Sequence, residues 1–339
     1  MFNDSSIYNI LIVDDDQSQR KLEKEILSMQ NHHIIEACNA DEATGRLLKH
    51  NVDVVLLDKR MPGMDGDTLC EKIRNDLGFK LLPIIMVTGT NDRGELVKSL
   101  NAGANDFIHK PYHPAELIAR VNAAAKLKRL TDELDDMESM LFSLARMIEA
   151  KDEHTGDHCE RLSTTSQKFG QLLGLDENEL KALKKGGVLH DIGKLGIPDA
   201  ILMKPAALTS EEFEVMKKHP LIGHQLCGGL KSMKTTAPII LHHHERWDGS
   251  GYPHGLKGDE IPYIAQVFQL IDIYDALTYE RPYKPAFSVD NALKIIQEET
   301  DRGWRNPELV EKFVEFIRSQ DAQQPPLAEQ QARSLSDLG

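Results

Sequence analysis

Five short apolar segments alternate with segments of helical periodicity in the first part of the chain, and this alternation constrains the fold most strongly. The five segments are Asn9–Val13, His33–Ala37, Val52–Leu57, Ile84–Thr88 and Asp106–Ile108. Near-continuous apolar strands that alternate with helices are typical of a parallel sheet covered by helices on both faces. The pattern therefore predicts an α/β domain with a parallel five-stranded sheet over residues 1–125.

Polar side chains follow these strands at their carboxyl ends, the edge at which ligands bind in sheets of this type. They are Asp14 and Asp15 after the first segment, Asp58 after the third, Thr88 after the fourth and Lys110 after the fifth. Clustered carboxylates repel one another unless a cation joins them, and hard oxygen ligands favour Mg²⁺. A carboxylate beside Mg²⁺, a hydroxyl and a lysine is suited to accept a phosphoryl group. The alternative is a set of acidic loop ends that are solvated independently.

A long segment without Gly or Pro follows Pro114 and extends to Gly156, and its composition favours one continuous helix. Its apolar residues are spaced alternately three and four positions apart, at Leu127, Leu130, Leu134, Met137, Leu141, Leu144 and Ile148. This spacing is that of a coiled-coil seam, and it predicts a parallel homodimer formed through the linker helix, residues 126–136. The alternative is that the seam packs on the following domain of the same chain.

Helical patterns dominate residues 137–324, strand signals are nearly absent, and nine of the fourteen histidines lie from His154 onward. These features predict an all-α bundle, in which metal sites are built from side chains that several helices project inward. The candidate ligands lie in or at the ends of apolar-periodic segments and are His158, His190, Asp191, His219, His243, His244 and Asp272. Imidazoles and carboxylates without cysteine favour two divalent transition metal ions, with Fe or Mn preferred and Ni or Zn as alternatives. Two such ions can bind the attacking and leaving oxygens of a phosphoester displacement, so the composition indicates hydrolysis.

His190 and Asp191 are adjacent at the end of an apolar helical run, so they cannot lie on one helix face. Both can nevertheless bind one metal ion, and the second carboxylate oxygen of Asp191 can bridge to another. Lys194 follows about one helical turn later and would place a cation beside this cluster. The alternative is an ordinary helix end with a solvated aspartate and a half-buried histidine.

The N-terminal motifs LIVDDD, LLDKRMPGMDG, VTGT and IHKP resemble those of response-regulator receiver domains over the full domain length. The resemblance implies a flavodoxin-like fold, a magnesium ion, and a histidine kinase or phosphotransfer protein as partner. The implied residues are Asp58 as phosphoacceptor, Asp14 and Asp15 with Asp58 as magnesium ligands, and Thr88, Phe107 and Lys110 as switch residues. It also implies a cis peptide bond between Lys110 and Pro111.

The C-terminal motifs EAKDEHTGDH, VLHDIGKLGIPD, HHHERWDGSGYP, GLKGDEIP and DIYDALTYERPYKPA resemble the HD-GYP phosphodiesterases. The resemblance implies an HD-type helical bundle that hydrolyses cyclic di-GMP to pGpG, with further hydrolysis to GMP left open. It implies metal ligation by the seven candidate ligands. The other implied roles are catalysis by Asp191 and Lys194, and substrate binding by Arg246, Tyr252, Arg281 and Lys284. His154 stands where some members have a glutamate that goes with a third ion, so two ions are expected and a third at His154 is the alternative.

The net charge of −14 disfavours binding to nucleic acid or to an anionic membrane by general electrostatics. No apolar run approaches the roughly 20 residues that cross a bilayer, and no signal-peptide pattern is present. The four cysteines are scattered, which suits a reducing compartment. We therefore expect a cytoplasmic protein that binds neither DNA nor membrane, with a disordered polar tail at residues 325–339.

The expected function is hydrolysis of cyclic di-GMP under the control of phosphorylation at Asp58. Two alternatives remain open at the level of sequence. The first is a catalytically weak module that senses cyclic di-GMP or binds partner proteins without turnover. The second is an HD-type phosphohydrolase that acts on another nucleotide.

Overall fold

The computed structural model describes residues 7–89, 92–151, 157–280 and 285–321. The chain divides into two compact units, with the division between Met137 and Glu138. The first unit contains a five-stranded sheet and the second is helical, so the predicted fold class is confirmed.

The sheet of the first unit is parallel throughout and has the strand order β2-β1-β3-β4-β5. Its strands are β1 (Asn9–Val13), β2 (His33–Ala37), β3 (Val54–Asp58), β4 (Ile84–Thr88) and β5 (Asp106–His109). The five predicted strands are confirmed, although the third begins at Val54 rather than Val52 and includes Asp58. Because β1 and β3 are neighbours, the residues after Val13 and at Asp58 meet at the same edge of the sheet.

Four helices cover the two faces of this sheet, namely α1 (Gln17–Ser28), α2 (Ala40–Lys49), α3 (Gly66–Asn75) and α4 (Arg93–Asn101). Each begins after an aspartate or asparagine whose side chain accepts a hydrogen bond from a backbone N–H of the first turn. Alternate residues of β3 pack in two hydrophobic cores on opposite faces of the sheet. Val55 and Leu57 pack on one face, and Val54 and Leu56 pack on the other. Burial on both faces explains why the strands have near-continuous apolar sequences.

Glu23 on α1 is a buried carboxylate, 1% exposed, that accepts a hydrogen bond of 2.7 Å from the hydroxyl of Tyr112. Burial raises the pKa of Glu23 to about 7, against the lowering effect of the Tyr112 hydrogen bond. Because the pKa of Glu23 is higher in the folded chain than in the unfolded chain, the folded chain binds the proton more tightly. The stability that this proton contributes is fully present below the unfolded pKa and is lost as the pH rises through the folded pKa.

We expect Glu23→Gln to raise the free energy of unfolding by roughly 3 kcal/mol at pH 8 and by less than about 1 kcal/mol at pH 5. The neutral amide removes the cost of a buried charge but keeps an oxygen that can accept the Tyr112 hydrogen bond. Calorimetric unfolding of the full chain and of the variant at both pH values measures the difference. A stabilisation that is the same at pH 5 and pH 8 would contradict the assignment.

A continuous helix, α5 (Pro114–Lys151), follows the sheet, as predicted. In its first half, Leu127, Leu130 and Leu134 are exposed by 65%, 49% and 55%. In its second half, Leu141 and Ala145 belong to the second unit and pack in a cluster with residues of other segments of that unit, such as Leu189 and Ile240. The alternative interpretation of the seam is thus confirmed for its C-terminal half, which packs within the second unit of the same chain.

The second unit consists of helices and short 3-10 turns in its described residues. The helices are α6 (Asp157–Leu172), α7 (Glu177–Leu189), α8 (Asp199–Leu202), α9 (Ser210–Met216), α10 (His219–Cys227), α11 (Ala237–His242), α12 (Tyr263–Thr278), α13 (Val289–Asp301) and α14 (Pro307–Asp321). The apolar helix α12 contributes many of the core residues, including Phe268. Phe169 of α6 and Phe313 of α14 complete the core, with their ring centroids 5.2 Å apart. No described helix is long and apolar enough to span a membrane.

The segment from Ser210 to His219 does not form one continuous helix. Helix α9 ends at Met216, and His219 instead begins the separate helix α10. Pro220 explains the break, because a proline is tolerated in the first turn of a helix but interrupts the hydrogen bonds of a helix interior. His219 is therefore the first residue of α10 and does not lie in the last turn of α9.

Candidate metal centre and phosphoacceptor site

Three side chains converge at the carboxyl edge of the sheet in the first unit. The ammonium of Lys110 lies 2.6 Å from Oδ1 of Asp58 and 2.8 Å from Oδ2 of Asp14. The other oxygen of Asp58 accepts a hydrogen bond of 2.7 Å from the backbone N–H of Arg60. Burial raises the pKa of Asp58 even though Lys110 acts in the opposite direction. A buried carboxylate beside a lysine is an arrangement suited to phosphoryl transfer, since the lysine can neutralise the charge that the phosphoryl group brings.

The other predicted residues of this site lie around the same edge. Asp15 is exposed, Thr88 ends β4 with 2% exposure, and Phe107 is half-buried on β5. The ring of Phe107 contacts the ring of His109 edge-on, with centroids 5.2 Å apart. The predicted cis peptide bond between Lys110 and Pro111 is present. Asp14 and Asp15 provide the carboxylates that would hold Mg²⁺ beside Asp58.

In the second unit, the chain changes its helix type between His190 and Asp191. Helix α7 begins with a capping box at Asp176 and ends at Leu189, and His190 still has α-helical backbone angles. Asp191 leaves that conformation, with φ −101° and ψ 7°, and a 3-10 helix follows over Ile192–Gly196. This change allows two adjacent side chains to face the same site, which one continuous helix would prevent.

The two oxygens of Asp191 face different groups of residues. Oδ1 lies 3.1 Å from Nε2 of His219 and 3.6 Å from Nε2 of His243. Oδ2 lies 2.9 Å from the ammonium of Lys194 and 3.3 Å from Nε2 of His190. The carboxylate therefore has imidazoles near both oxygens, with His219 and His243 near Oδ1 and His190 near Oδ2.

The Nε2 atoms of His219 and His243 face each other. Nδ1 of His219 lies 2.9 Å from the backbone oxygen of Met216, and Nδ1 of His243 lies 3.0 Å from that of Ile240. A carbonyl oxygen only accepts hydrogen bonds, so each Nδ1 carries a proton, and in a neutral ring Nε2 then has the lone pair that binds a metal. The two Nε2 atoms are 3.3 Å apart beside Oδ1 of Asp191. Three electron-rich atoms this close are stabilised by a cation between them, so the residues fit a divalent metal ion.

His244 and Asp191 have ionisation states that suit metal binding. Burial, reinforced by the neighbouring His243 and His219, holds the pKa of His244 well below its usual value, so the ring is neutral. Burial acts to raise the pKa of Asp191, but Lys194 and other cationic neighbours outweigh it and hold that pKa well below its usual value. One oxygen of Asp191, Oδ1, is buried and accepts no hydrogen bond from the described part of the chain. Neutral imidazoles and an ionised carboxylate are the forms in which these side chains bind metals.

His190, His158 and Asp272 form the second group of candidate ligands. Nε2 of His190 lies 4.0 Å from Oδ1 of Asp272, and the rings of His190 and His158 have centroids 6.0 Å apart. Burial acts to lower the pKa of His190, but the carboxylates of Asp191 and Asp272 raise it to about 9. A divalent ion would take the place of that proton. The seven predicted ligands are thus brought together around Asp191 in two groups.

The predicted substrate residues are only partly covered by the structure. Tyr252 stacks on the ring of His244, with centroids 4.7 Å apart and planes at 28°, and burial raises its pKa. The guanidinium of Arg246 lies 3.7 Å from the ring centroid of Trp304. The remaining predicted residues, Arg281, Lys284 and the third-ion ligand His154, lie outside the described residues.

Two carboxylates beside the ligands were missed by the sequence analysis. Asp275, one helical turn after Asp272 on α12, accepts a hydrogen bond of 2.6 Å from Nδ1 of His158 and another of 2.8 Å from Arg161. Glu149 near the end of α5 has a carboxylate oxygen within 4.8 Å of ring nitrogens of His158 and His190. Both residues are in motifs quoted for the family resemblance, but nothing in a single sequence indicates that they touch the ligands.

Comparison with known proteins agrees with this division of the chain. Residues 10–122 match the response regulator receiver domain family, and residues 143–309 match the HD domain family. The cyclic di-GMP phosphodiesterase response regulator RpfG of Xanthomonas campestris pv. campestris is 36% identical over 317 residues, covering 87% of this chain and 84% of that protein. This chain belongs to the response regulators that carry a C-terminal HD domain.

Other relatives match most of the chain or about half of it. A cyclic di-GMP phosphodiesterase of Thermotoga maritima is 34% identical over 335 residues, covering 91% of this chain and 90% of that protein. The 3'3'-cGAMP-specific phosphodiesterase 2 of Vibrio cholerae is 34% identical over 188 residues, covering 55% of this chain and 36% of that protein. The receiver domain of this response regulator implies a kinase or phosphotransfer partner, and its HD domain implies bound divalent metal.

Asparagine in place of Asp275 is expected to weaken metal binding by this HD domain about 10–100-fold. Burial acts to raise the pKa of Asp275, but hydrogen bonds from His158 and Arg161 lower it, so a carboxylate fixes the orientation of the His158 ring. An amide accepts a weaker hydrogen bond and loses the charge. Titration of metal-free protein with Mn(II) measures the change, and Asp290→Asn at an exposed position provides the control. Equal affinities for both variants would contradict this role.

Proposed function

We propose that this response regulator hydrolyses cyclic di-GMP to linear pGpG at a centre of two divalent transition metal ions. The observation that carries the proposal is the position of Asp191, whose Oδ1 lies 3.1 Å from His219 and whose Oδ2 lies 3.3 Å from His190. A carboxylate between two groups of imidazoles is suited to bridge two ions, as two-metal phosphodiester hydrolysis requires. The names of the full-length relatives support cyclic di-GMP as the substrate. Fe or Mn is the expected metal, with Ni or Zn as alternatives.

Two ions at this centre would activate the attacking water and neutralise charge on the phosphodiester. The ammonium of Lys194 lies 2.9 Å from Asp191, and its side chain is 15% exposed, so it can contact both the carboxylate and an entering phosphate oxygen. We assign to Lys194 the stabilisation of negative charge on that oxygen. Tyr252 is expected to contact the substrate from its position on His244. The other proposed substrate contacts are Arg246, Arg281 and Lys284.

Phosphorylation of Asp58 is the proposed control of this activity. Asp14, Asp15 and Asp58 would hold the magnesium ion, and Thr88, Phe107 and Lys110 would respond to the phosphoryl group. The exposed leucines in the first half of α5 support a homodimer formed through this helix, because an apolar seam in water is stabilised by a second copy. The molar mass of the full chain in solution, measured by light scattering, tests the dimer.

The test of the proposed activity is anaerobic turnover by protein loaded with Fe(II) or Mn(II). Cyclic di-GMP and 3'3'-cGAMP are supplied in parallel, and the products are separated by chromatography. The proposal predicts faster loss of cyclic di-GMP with formation of pGpG, and any GMP shows whether hydrolysis continues. The same assay with and without phosphorylation, and with Asp58→Asn, measures the control exerted by the receiver domain.

The outcomes distinguish the remaining functions. Preferred turnover of 3'3'-cGAMP would reassign the substrate while keeping the reaction type. Binding of cyclic di-GMP without turnover, in protein with full metal occupancy and with or without phosphorylation, would replace the enzyme by a sensor of the nucleotide.

A further inference from the structure

Glu149 is a buried carboxylate with incomplete hydrogen bonding beside the proposed metal centre. Its side chain is 6% exposed, and its Oε2 accepts a hydrogen bond of 2.7 Å from the thiol of Cys159. Its Oε1 is buried and has no hydrogen-bond partner in the part of the chain that the structure describes. A buried carboxylate without a cation or a full set of donors is costly, so a donor or a cation is expected at Oε1.

His190 has a buried nitrogen without a hydrogen-bond partner among the described residues, as Glu149 has such an oxygen. Its Nε2 faces Asp191 and Asp272, as a ligand atom of the proposed centre would. Its Nδ1 is buried and, within the described residues, has no hydrogen-bond partner. When Nε2 of a neutral imidazole binds a metal, Nδ1 carries the ring proton and becomes a donor that requires an acceptor.

Three of the other histidine ligands have such an acceptor. Nδ1 of His219 lies 2.9 Å from a backbone oxygen, Nδ1 of His243 lies 3.0 Å from another, and Nδ1 of His158 lies 2.6 Å from the carboxylate of Asp275. Nδ1 of His190 differs from these three atoms in having no such acceptor among the described residues. Glu149 is the carboxylate grouped with His190 and His158, and one of its oxygens lies within 4.8 Å of a ring nitrogen of His190.

We propose that Glu149 is the positioning residue of His190, whose Nδ1–H it accepts directly or through one water when the metal is bound. A rotation of the carboxylate or a single bridging water spans the gap between the two groups. The interaction fixes the tautomer and the ring orientation of His190 and makes Nε2 a better ligand. The thiol of Cys159 donates a hydrogen bond to the other oxygen, Oε2, so Oε1 is the oxygen available to His190. This role rests on the proposed metal centre and adds a residue to it.

The test is Mn(II) titration of the metal-free full chain by calorimetry, with metal content at saturation measured by mass spectrometry. Glu149→Ala should weaken Mn(II) binding about 10–100-fold, and Glu149→Gln less, because its amide oxygen still accepts a hydrogen bond. The number of ions bound at saturation should stay that of the unaltered protein. Glu138→Gln is the matched control, since Glu138 is on the same helix but pairs with Lys185 at 2.8 Å. Its affinity should equal that of the unaltered protein.

Thermal unfolding of the metal-free variants separates positioning from a merely structural role. Metal-free Glu149→Gln should still unfold in one cooperative thermal transition, because the amide has the size of the carboxylate and can still accept a hydrogen bond, while its metal affinity falls. Unchanged affinity in both Glu149 variants would overturn the proposal. Loss of one bound ion at saturation would also overturn it, by making Glu149 a ligand itself. Because binding is measured without nucleotide, a failure to hydrolyse cyclic di-GMP leaves this test intact.

Discussion

Asparagine in place of Asp191 is expected to lower the rate of cyclic di-GMP hydrolysis by roughly 1000-fold or more. The carboxylate has one oxygen beside His219 and the other beside His190, so it is placed to join the two groups of ligands. An amide has one oxygen, and its nitrogen cannot bind a metal. The substitution also removes the negative charge that faces Lys194 at 2.9 Å and leaves that ammonium without this partner.

Turnover and metal content are measured together, because loss of the carboxylate that joins the two groups of ligands is expected to lower both. Because Lys194 and other cationic neighbours hold the pKa of Asp191 well below its usual value, the carboxylate is ionised across the neutral range in the unaltered protein, and its loss in the variant should lower turnover throughout that range. Asp199→Asn is a suitable control, as Asp199 is on the surface with its side chain 64% exposed. Full metal content with near-normal turnover in Asp191→Asn would exclude the bridging role.

The fold of the first unit followed from local pattern because its strands are short and largely apolar, and the central strands β3 and β4 are fully buried. Every residue of β3 and β4 is buried, so the apolar segments in the sequence coincide with the strands. The position of Asp58 at the end of β3 followed in turn, since the carboxyl ends of parallel strands share one edge. Boundaries were less accurate, as β3 begins two residues after the start of its apolar segment.

The candidate metal centre could be predicted in its histidines and aspartates but not in the carboxylates that contact them. Histidines and aspartates in a bundle, with no cysteine among the candidate ligands, suggest a metal whatever their partners. Asp275 bonds to His158 from 117 positions away, and no local spacing reveals such a contact. The position of Glu149 beside the candidate ligands could not be predicted either, because a glutamate on a long charged helix normally lies on a solvated face. Its burial results from packing that only the folded chain provides.

Alanine in place of Gly193 is expected to lower the free energy of unfolding of the second unit by about 3 kcal/mol or more. A Cβ atom at Gly193 would lie 1.8 Å from the backbone oxygen of His219 and 2.5 Å from the backbone nitrogen of Gly223. Both atoms belong to α10, whose backbone cannot rotate away as a side chain can. The 3-10 helix that follows Asp191 would therefore have to move apart from α10.

The same displacement should reduce metal affinity, since it separates Asp191 from His219, which are 3.1 Å apart across this contact. Urea unfolding and Mn(II) titration measure the two effects. Gly229→Ala is the matched control, because a Cβ atom there meets nothing within 4 Å. Gly196→Ala should have an intermediate effect, since its nearest neighbours, at 3.0 Å, are side-chain atoms of Ile222 that can shift. If Gly193→Ala keeps both its stability and its metal affinity, the close backbone contact does not hold the bridging carboxylate in place.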